Sequence, residues 1–170
     1  MTFFINTDVM DKEGRVLAAN VDFMNALDYI RVCRLDVEYT VNKNSATLTF
    51  KGKSQGRSIQ ATITDTKKSA NGQGGRLYDI APRVYWHGKN IAKGLQLNFI
   101  ELLGYIKVHR HEIVKKERGN YDINVIVFYG NFNMNGYRRN RIEATVTRLE
   151  EEHKQHSEHA TTAQAGAGAV

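Results

Sequence analysis

The chain has 170 residues and a formal net charge of +6 at pH 7, from 24 Lys/Arg against 18 Asp/Glu. That length fits one domain with a core of its own, the single cysteine, Cys33, excludes an intramolecular disulfide, and no apolar run reaches the roughly 18 residues of a membrane-spanning helix. The N-terminal MTFFINTDVMDKEG has no basic leader and turns acidic at once, so the expectation is a cytoplasmic protein whose basic balance suits an anionic partner.

The first periodic segment is Leu17–Ile30, where Leu17, Val21, Met24, Leu27 and Ile30 recur at helical spacing, with Asn20 or Asp22 near the start as a cap. Cys33 follows without metal-type spacing and reads as a core or strand residue. Three segments of period two come next, each with one wet face: Leu35–Val41, Ala46–Lys51 and Ile59–Thr64. Turn-like breaks at Asn42–Ser45 and Gly52–Gly56 join them into an antiparallel meander. Thr66–Gly75 reads as a loop; its glycines lack the GK[ST] of a phosphate loop. A fourth strand spans Leu77–His87, with Pro82 pointing to an edge or a bulge. A stripe of Ile91, Leu95, Phe99, Leu102, Leu103 and Ile106 predicts an amphipathic helix. Lys107–Arg118 reads as a charged connector, Asp122–Tyr129 as a central strand apolar on both faces, Gly130–Gly136 as an Asn-rich turn and Arg141–Arg148 as a last strand. Leu149–His159 reads as a polar helical extension and Thr161–Val170 as a flexible Ala/Gly tail. The division expected is therefore one α+β domain over 1–149, a twisted antiparallel meander with packed amphipathic helices, and an extension over 150–170.

Charge is unevenly spread. From Tyr39 to Ile100 there are ten Lys/Arg and two acids, Asp65 and Asp79. Cations interleaved with aromatic rings on a sheet suit a single nucleic-acid strand, the cations for phosphates and the rings for unstacked bases. Three clusters carry that pattern. Lys51, Lys53 and Arg57 surround a glycine-containing turn, as a phosphate clamp would. In Arg83–Lys89, alternation sends Val84 and Trp86 one way and Arg83, Tyr85 and His87 the other, while Lys89 and Lys93 follow in the turn. Phe128–Arg141 holds four aromatics, four asparagines and three arginines, including Phe132, Tyr137, Arg138, Arg139 and Arg141; arginine can pair with phosphate and stack on bases. The histidines read as solvent-exposed: no carboxylate or thiol set completes a metal site around His109 and His111 or around His153, His156 and His159. No HExxH, GxSxG or paired-carboxylate arrangement is present, so neither enzyme activity nor a cofactor is expected.

The residues Asp79, Ile80, Arg83, Tyr85 and Trp86, then Lys93, Gly94, Leu95 and Leu97 and a helix through Leu102, Leu103 and Ile106, resemble the core of the transcriptional coactivator positive cofactor four. Phe50-Lys-Gly-Lys53 resembles the lysine–glycine–lysine turn of the related Whirly proteins. The resemblance covers about 55 residues. It departs from the family by the inserted Ala81-Pro82 and by a turn thinned to Lys89 and Lys93. It implies a Whirly-like sheet gripping single-stranded DNA, a homo-oligomer, and binding roles for Lys51, Lys53, Arg83, Tyr85, Trp86 and Lys93. Three alternatives stand beside it. A structural or anti-defence protein would offer the basic strip to an acidic protein. A double-stranded-RNA binder would use the helix–three-strand order of Leu17–Thr64. A nucleotide enzyme would use His87 or His109 and His111.

Overall fold

The structure, a computed structural model, describes residues 1–53, 56–67, 75–86, 89–90, 97–119, 121–134 and 137–149. The side chains of 86, 89, 90, 121, 132–134 and 137–140 lie outside that description. The helical extension and tail expected beyond residue 149 lie outside it as well.

Among the described residues ten strands form a single antiparallel sheet: β1 (Thr2–Met10), β2 (Val16–Ala18), β3 (Asp36–Asn42), β4 (Ser45–Lys51), β5 (Ser58–Asp65), β6 (Arg76–Trp86), β7 (Lys89–Asn90), β8 (Ile106–Arg118), β9 (Tyr121–Met134) and β10 (Tyr137–Arg148). The main order is β3-β4-β5-β1-β6-β10-β9-β8, with β2 on β1 and β7 on β6. Among the described residues two helices, α1 (Phe23–Cys33) and α2 (Phe99–Tyr105), complete an α+β fold whose sheet is nearly closed like a barrel.

Alternation decides which face is inside. Phe3 and Ile5 of β1, Ala46, Leu48 and Phe50 of β4, Ile59, Ala61 and Ile63 of β5, and Ile142, Ala144 and Val146 of β10 are all buried in one cluster with the helices. Each of the larger of these side chains contributes roughly 1.5–3 kcal/mol on burial and each alanine about 0.8 kcal/mol, so the sheet and the two helices stand or fall as one core. The meander β3–β4–β5 follows the alternation in the sequence, and its register runs from Asp36↔Lys51 to Asn42↔Ser45.

Helix α1 starts at Asp22, not at Leu17. The Asp22 carboxylate accepts from the Met24 N–H as the N-cap, and a second acceptance from the buried Tyr78 hydroxyl at 2.9 Å fixes that helix end to β6. Tyr78 in turn accepts from the Phe23 N–H at 2.9 Å, and Arg148 of β10 reaches Asp22 at 2.9 Å. Burial pushes the Tyr78 phenol up to about 12. Leu17 lies in the exposed strand β2. Helix α2 is shorter than the apolar stripe predicts: a capping box of Asn98 and Glu101 starts it at Phe99, and Ile106 already belongs to β8. Ile91 and Leu95 of that stripe lie outside the described residues.

One strand was missed and three further expectations are corrected. Strand β1, which takes the centre of the sheet, has no counterpart in the sequence reading, because adjacent Phe3 and Phe4 blur its period. Strand β6 is interior, between β1 and β10; Pro82 is tolerated because the Ile80 N–H already meets the carbonyl of Met1, so the Pro82 nitrogen faces the same side just past the start of β1. The expected connector Lys107–Arg118 is the edge strand β8, and the expected turn Gly130–Gly136 is largely strand, since β9 runs to Met134. Gly130 is needed there: a Cβ would stand 1.9 Å from the Lys107 carbonyl oxygen, beside the bulge between Val108 and Arg110 that lets β8 cross so closely.

Candidate nucleic-acid interface

The outer face of β6, β10, β9 and β8 carries a row of four side chains in register. Tyr85 faces Arg141, Arg141 faces Tyr129, and Tyr129 faces Arg110. Three strand spacings of about 4.8 Å make the row about 14 Å long. Cations and rings alternate along it and stack in pairs: the Arg141 guanidinium lies 4.3 Å from the Tyr85 ring centre, and that of Arg110 lies 4.2 Å from the Tyr129 ring centre. Both distances lie within the roughly 6 Å reach of a cation–π contact. The Arg141 Nε is buried and has no hydrogen-bond partner among the described residues. Arg141 meets Glu143 at 3.2 Å, and the Tyr129 hydroxyl donates to Glu112 at 3.1 Å. Burial, then that bond to Glu112, raises the Tyr129 phenol. Arg83 is exposed on the next rung, opposite Glu143.

At its β8 end the row meets a groove. The two edges of the sheet, β3 and β8, run antiparallel and are joined where the Tyr39 hydroxyl donates to the Ile106 carbonyl and accepts from the Val108 N–H. Beyond that point the edges part over a groove of about 1130 Å³, lined by Arg31 and Arg34 at the end of α1, Asp36, Lys53 and Arg57 of the β4–β5 turn, and Arg110 and His111 of β8. Cations outnumber acids in it. Arg31 reaches Asp28 only at 3.7 Å. His111 points inward against Phe50, ring centres 5.4 Å apart; burial lowers its pKa and Asp36 only partly offsets this. Tyr29 also lines the groove, and its phenol is raised first by a hydrogen bond with Cys33.

The predicted site residues divide accordingly. Tyr85 and Arg141 meet in the row; Lys53 and Arg57 meet in the groove; Arg83 stands beside the row. Lys51 is engaged with Glu38 at 2.7 Å. The backbones of Trp86 and Lys89 pair with each other, those of Arg138 and Arg139 pair with Asn133 and Phe132, and that of Tyr137 pairs with Met134; their side chains lie outside the described residues, as does all of Lys93. Two expectations are overturned: Cys33 is exposed on the groove rather than in the core, and His111 is half-buried rather than solvent-exposed. Arg110, Tyr129 and Arg34 were missed. Reading Ile106, Val108, His111 and Ile113 as one apolar set with a one-residue slip reveals β8, and with it Arg110. Among the described residues no three His, Cys, Asp or Glu side chains are grouped as metal ligands, and no helix is long and apolar enough to cross a membrane.

No protein-family model, no curated protein and no solved structure matches the chain.

Proposed function

We propose that this protein binds single-stranded nucleic acid, DNA in the first instance, without catalysing a reaction on it, and does so as a cytoplasmic homo-oligomer. The observation that carries the reading is the row Tyr85–Arg141–Tyr129–Arg110. A row of guanidinium–ring pairs offers rings to unstacked bases and cations to phosphates, which is how sheets hold single strands with little sequence preference. Lys53 and Arg57 extend the positive field past Arg110 into the groove, and Arg83 adds to it beside the row. The resemblance of Asp79–Trp86 to the strand of positive cofactor four supports the same reading, and with it a Whirly-like use of the sheet. A duplex keeps its bases stacked inside and offers the rings nothing, so a double-stranded-RNA role lacks this support.

The test is anisotropy of a labelled 30-nucleotide strand, alone and as a duplex, at two salt concentrations. The expected result is tighter binding of the single strand, weakened by salt. Equal binding of both forms, or none, overturns the reading. An acidic protein partner is the second reading, favoured by the unpaired edges of β3 and β8. It needs no rings, so Tyr85→Ala would leave it intact.

A further inference from the structure

We infer that the groove between β3 and β8 seats a phosphate monoester, and that for a bound strand this is its phosphorylated end; the second clause rests on the single-strand reading above. Arg34, Lys53 and Arg57 converge on the groove from two elements, the end of α1 and the β4–β5 turn. None of the three has a carboxylate partner among the described residues. Of the two acids that line the groove, Glu112 already accepts from the Tyr129 hydroxyl, which leaves Asp36.

Unpaired cations gathered on one concave surface repel one another, and an anion relieves that repulsion. A phosphodiester within a strand brings one negative charge. A monoester brings up to two together with three exposed oxygens, which matches several donors better. The shape agrees. Tyr39 shuts the groove at Ile106 and Val108, and the last turn of α1 lies beneath it. A strand laid along the row from Tyr85 reaches Arg110 and then a recess with a closed end, where a terminus fits more readily than a chain passing through. Arg34 itself sits at φ 51, the left-handed cap of α1, a conformation glycine adopts without strain. Removing its cation by Arg34→Gly therefore preserves the helix end.

The experiment uses the full chain and three internally labelled 12-nucleotide strands of one sequence: 5′-phosphorylated, 3′-phosphorylated and unphosphorylated. Thermal shift with a nucleoside monophosphate and with the matching nucleoside runs alongside. One phosphorylated strand is expected to bind about tenfold tighter than the unphosphorylated one, equivalent to about 1.4 kcal/mol. In Arg34→Gly and in Arg57→Ala that ratio falls to about one. Equal affinity of all three strands overturns the terminal-phosphate assignment while leaving single-strand binding in place. If no strand binds, the single-strand reading fails on its own; stabilisation by the monophosphate and not by the nucleoside then assigns the groove to a free nucleotide, and stabilisation by neither overturns the groove as a phosphate site.

Discussion

At the scale of single residues, the aromatic rings and the buried phenol make separate contributions that can be measured apart. Tyr85 is half-buried under Arg141, so its truncation removes one ring of the row and its contact with the Arg141 guanidinium. Stacking of a base on such a ring is worth roughly 1–3 kcal/mol, and Tyr85→Ala is expected to weaken single-strand affinity about tenfold or more in an anisotropy titration, with the unfolding midpoint little changed. Wild-type affinity in that variant would remove the row from the binding surface. Tyr78 answers to a different variable. Its folded pKa of about 12 lies above the ordinary value of 10.0, so between these two values the folded chain holds a proton that the unfolded chain has released. Stability is therefore full below pH 10 and falls as pH rises toward 12. Tyr78→Phe is expected to flatten that alkaline decline in urea unfolding at pH 9 and 11. It should also cost about 1–3 kcal/mol at neutral pH, because the buried Phe23 N–H loses its acceptor. An unchanged alkaline slope would show that other groups set it.

At the scale of elements, β8 is the part on which both the fold and the site depend. It reaches Gly130 of β9 with no space for a side chain, and the bulge there sets which residues beyond it face out. Gly130→Ala is expected to destabilise by about 2–3 kcal/mol through forced backbone movement, read as a Tm lowered by about 6–10 °C. It should also weaken strand binding, since Arg110 follows the bulge directly; a variant with wild-type Tm would show that the two strands separate freely at that point. The same bulge explains what the sequence hid. Elements with unbroken alternation, β3, β4 and β5, were legible almost to the residue, and so was the inward set of β10. Strand β8 was not, because one extra residue at His109 moves the apolar phase from Ile106 and Val108 to His111 and Ile113, and the remaining charges then look like a connector. Helix α1 was legible in type, and Asp22 was one of its two candidate caps, but its start was set too early, since Leu17 has the right spacing and only the cap decides the boundary. The candidate site was legible as composition: Lys53, Arg57, Tyr85 and Arg141 were each singled out. The pairing of Lys53 with Arg57 at one turn was legible too, but the meeting of Tyr85 with Arg141 was not, because it depends on the register of β6 and β10, which no local pattern encodes, and the row's end at Arg110 lay in the misread segment.

At the scale of the whole molecule, the net charge of +6 is a poor guide to binding, since Lys51, Arg148 and Lys115 are held by Glu38, by Asp22, and by Asp28 with Asp122. What matters is the number of cations that meet phosphate along one path. Lys53, Arg57 and Arg110, with Arg83 beside the row, lie on that path, whereas Arg141 is held by Glu143. If each neutralises one phosphate of a single strand, log K should fall against log salt with a slope of about −3, from roughly −0.7 per contact. Replacing Lys53 and Arg57 by glutamine together should bring the slope to about −1.4 and weaken binding most at low salt. Tyr85→Ala should lower affinity at every salt concentration and leave the slope where it was, because a ring releases no counterion. The two variants therefore separate the electrostatic part of the surface from the stacking part in one set of titrations. A slope unaltered by the double replacement would take the groove out of the path and confine binding to the row. A slope that Tyr85→Ala reduces as much as the lysine and arginine changes do would mean that the ring acts by holding Arg141 in place rather than by receiving a base.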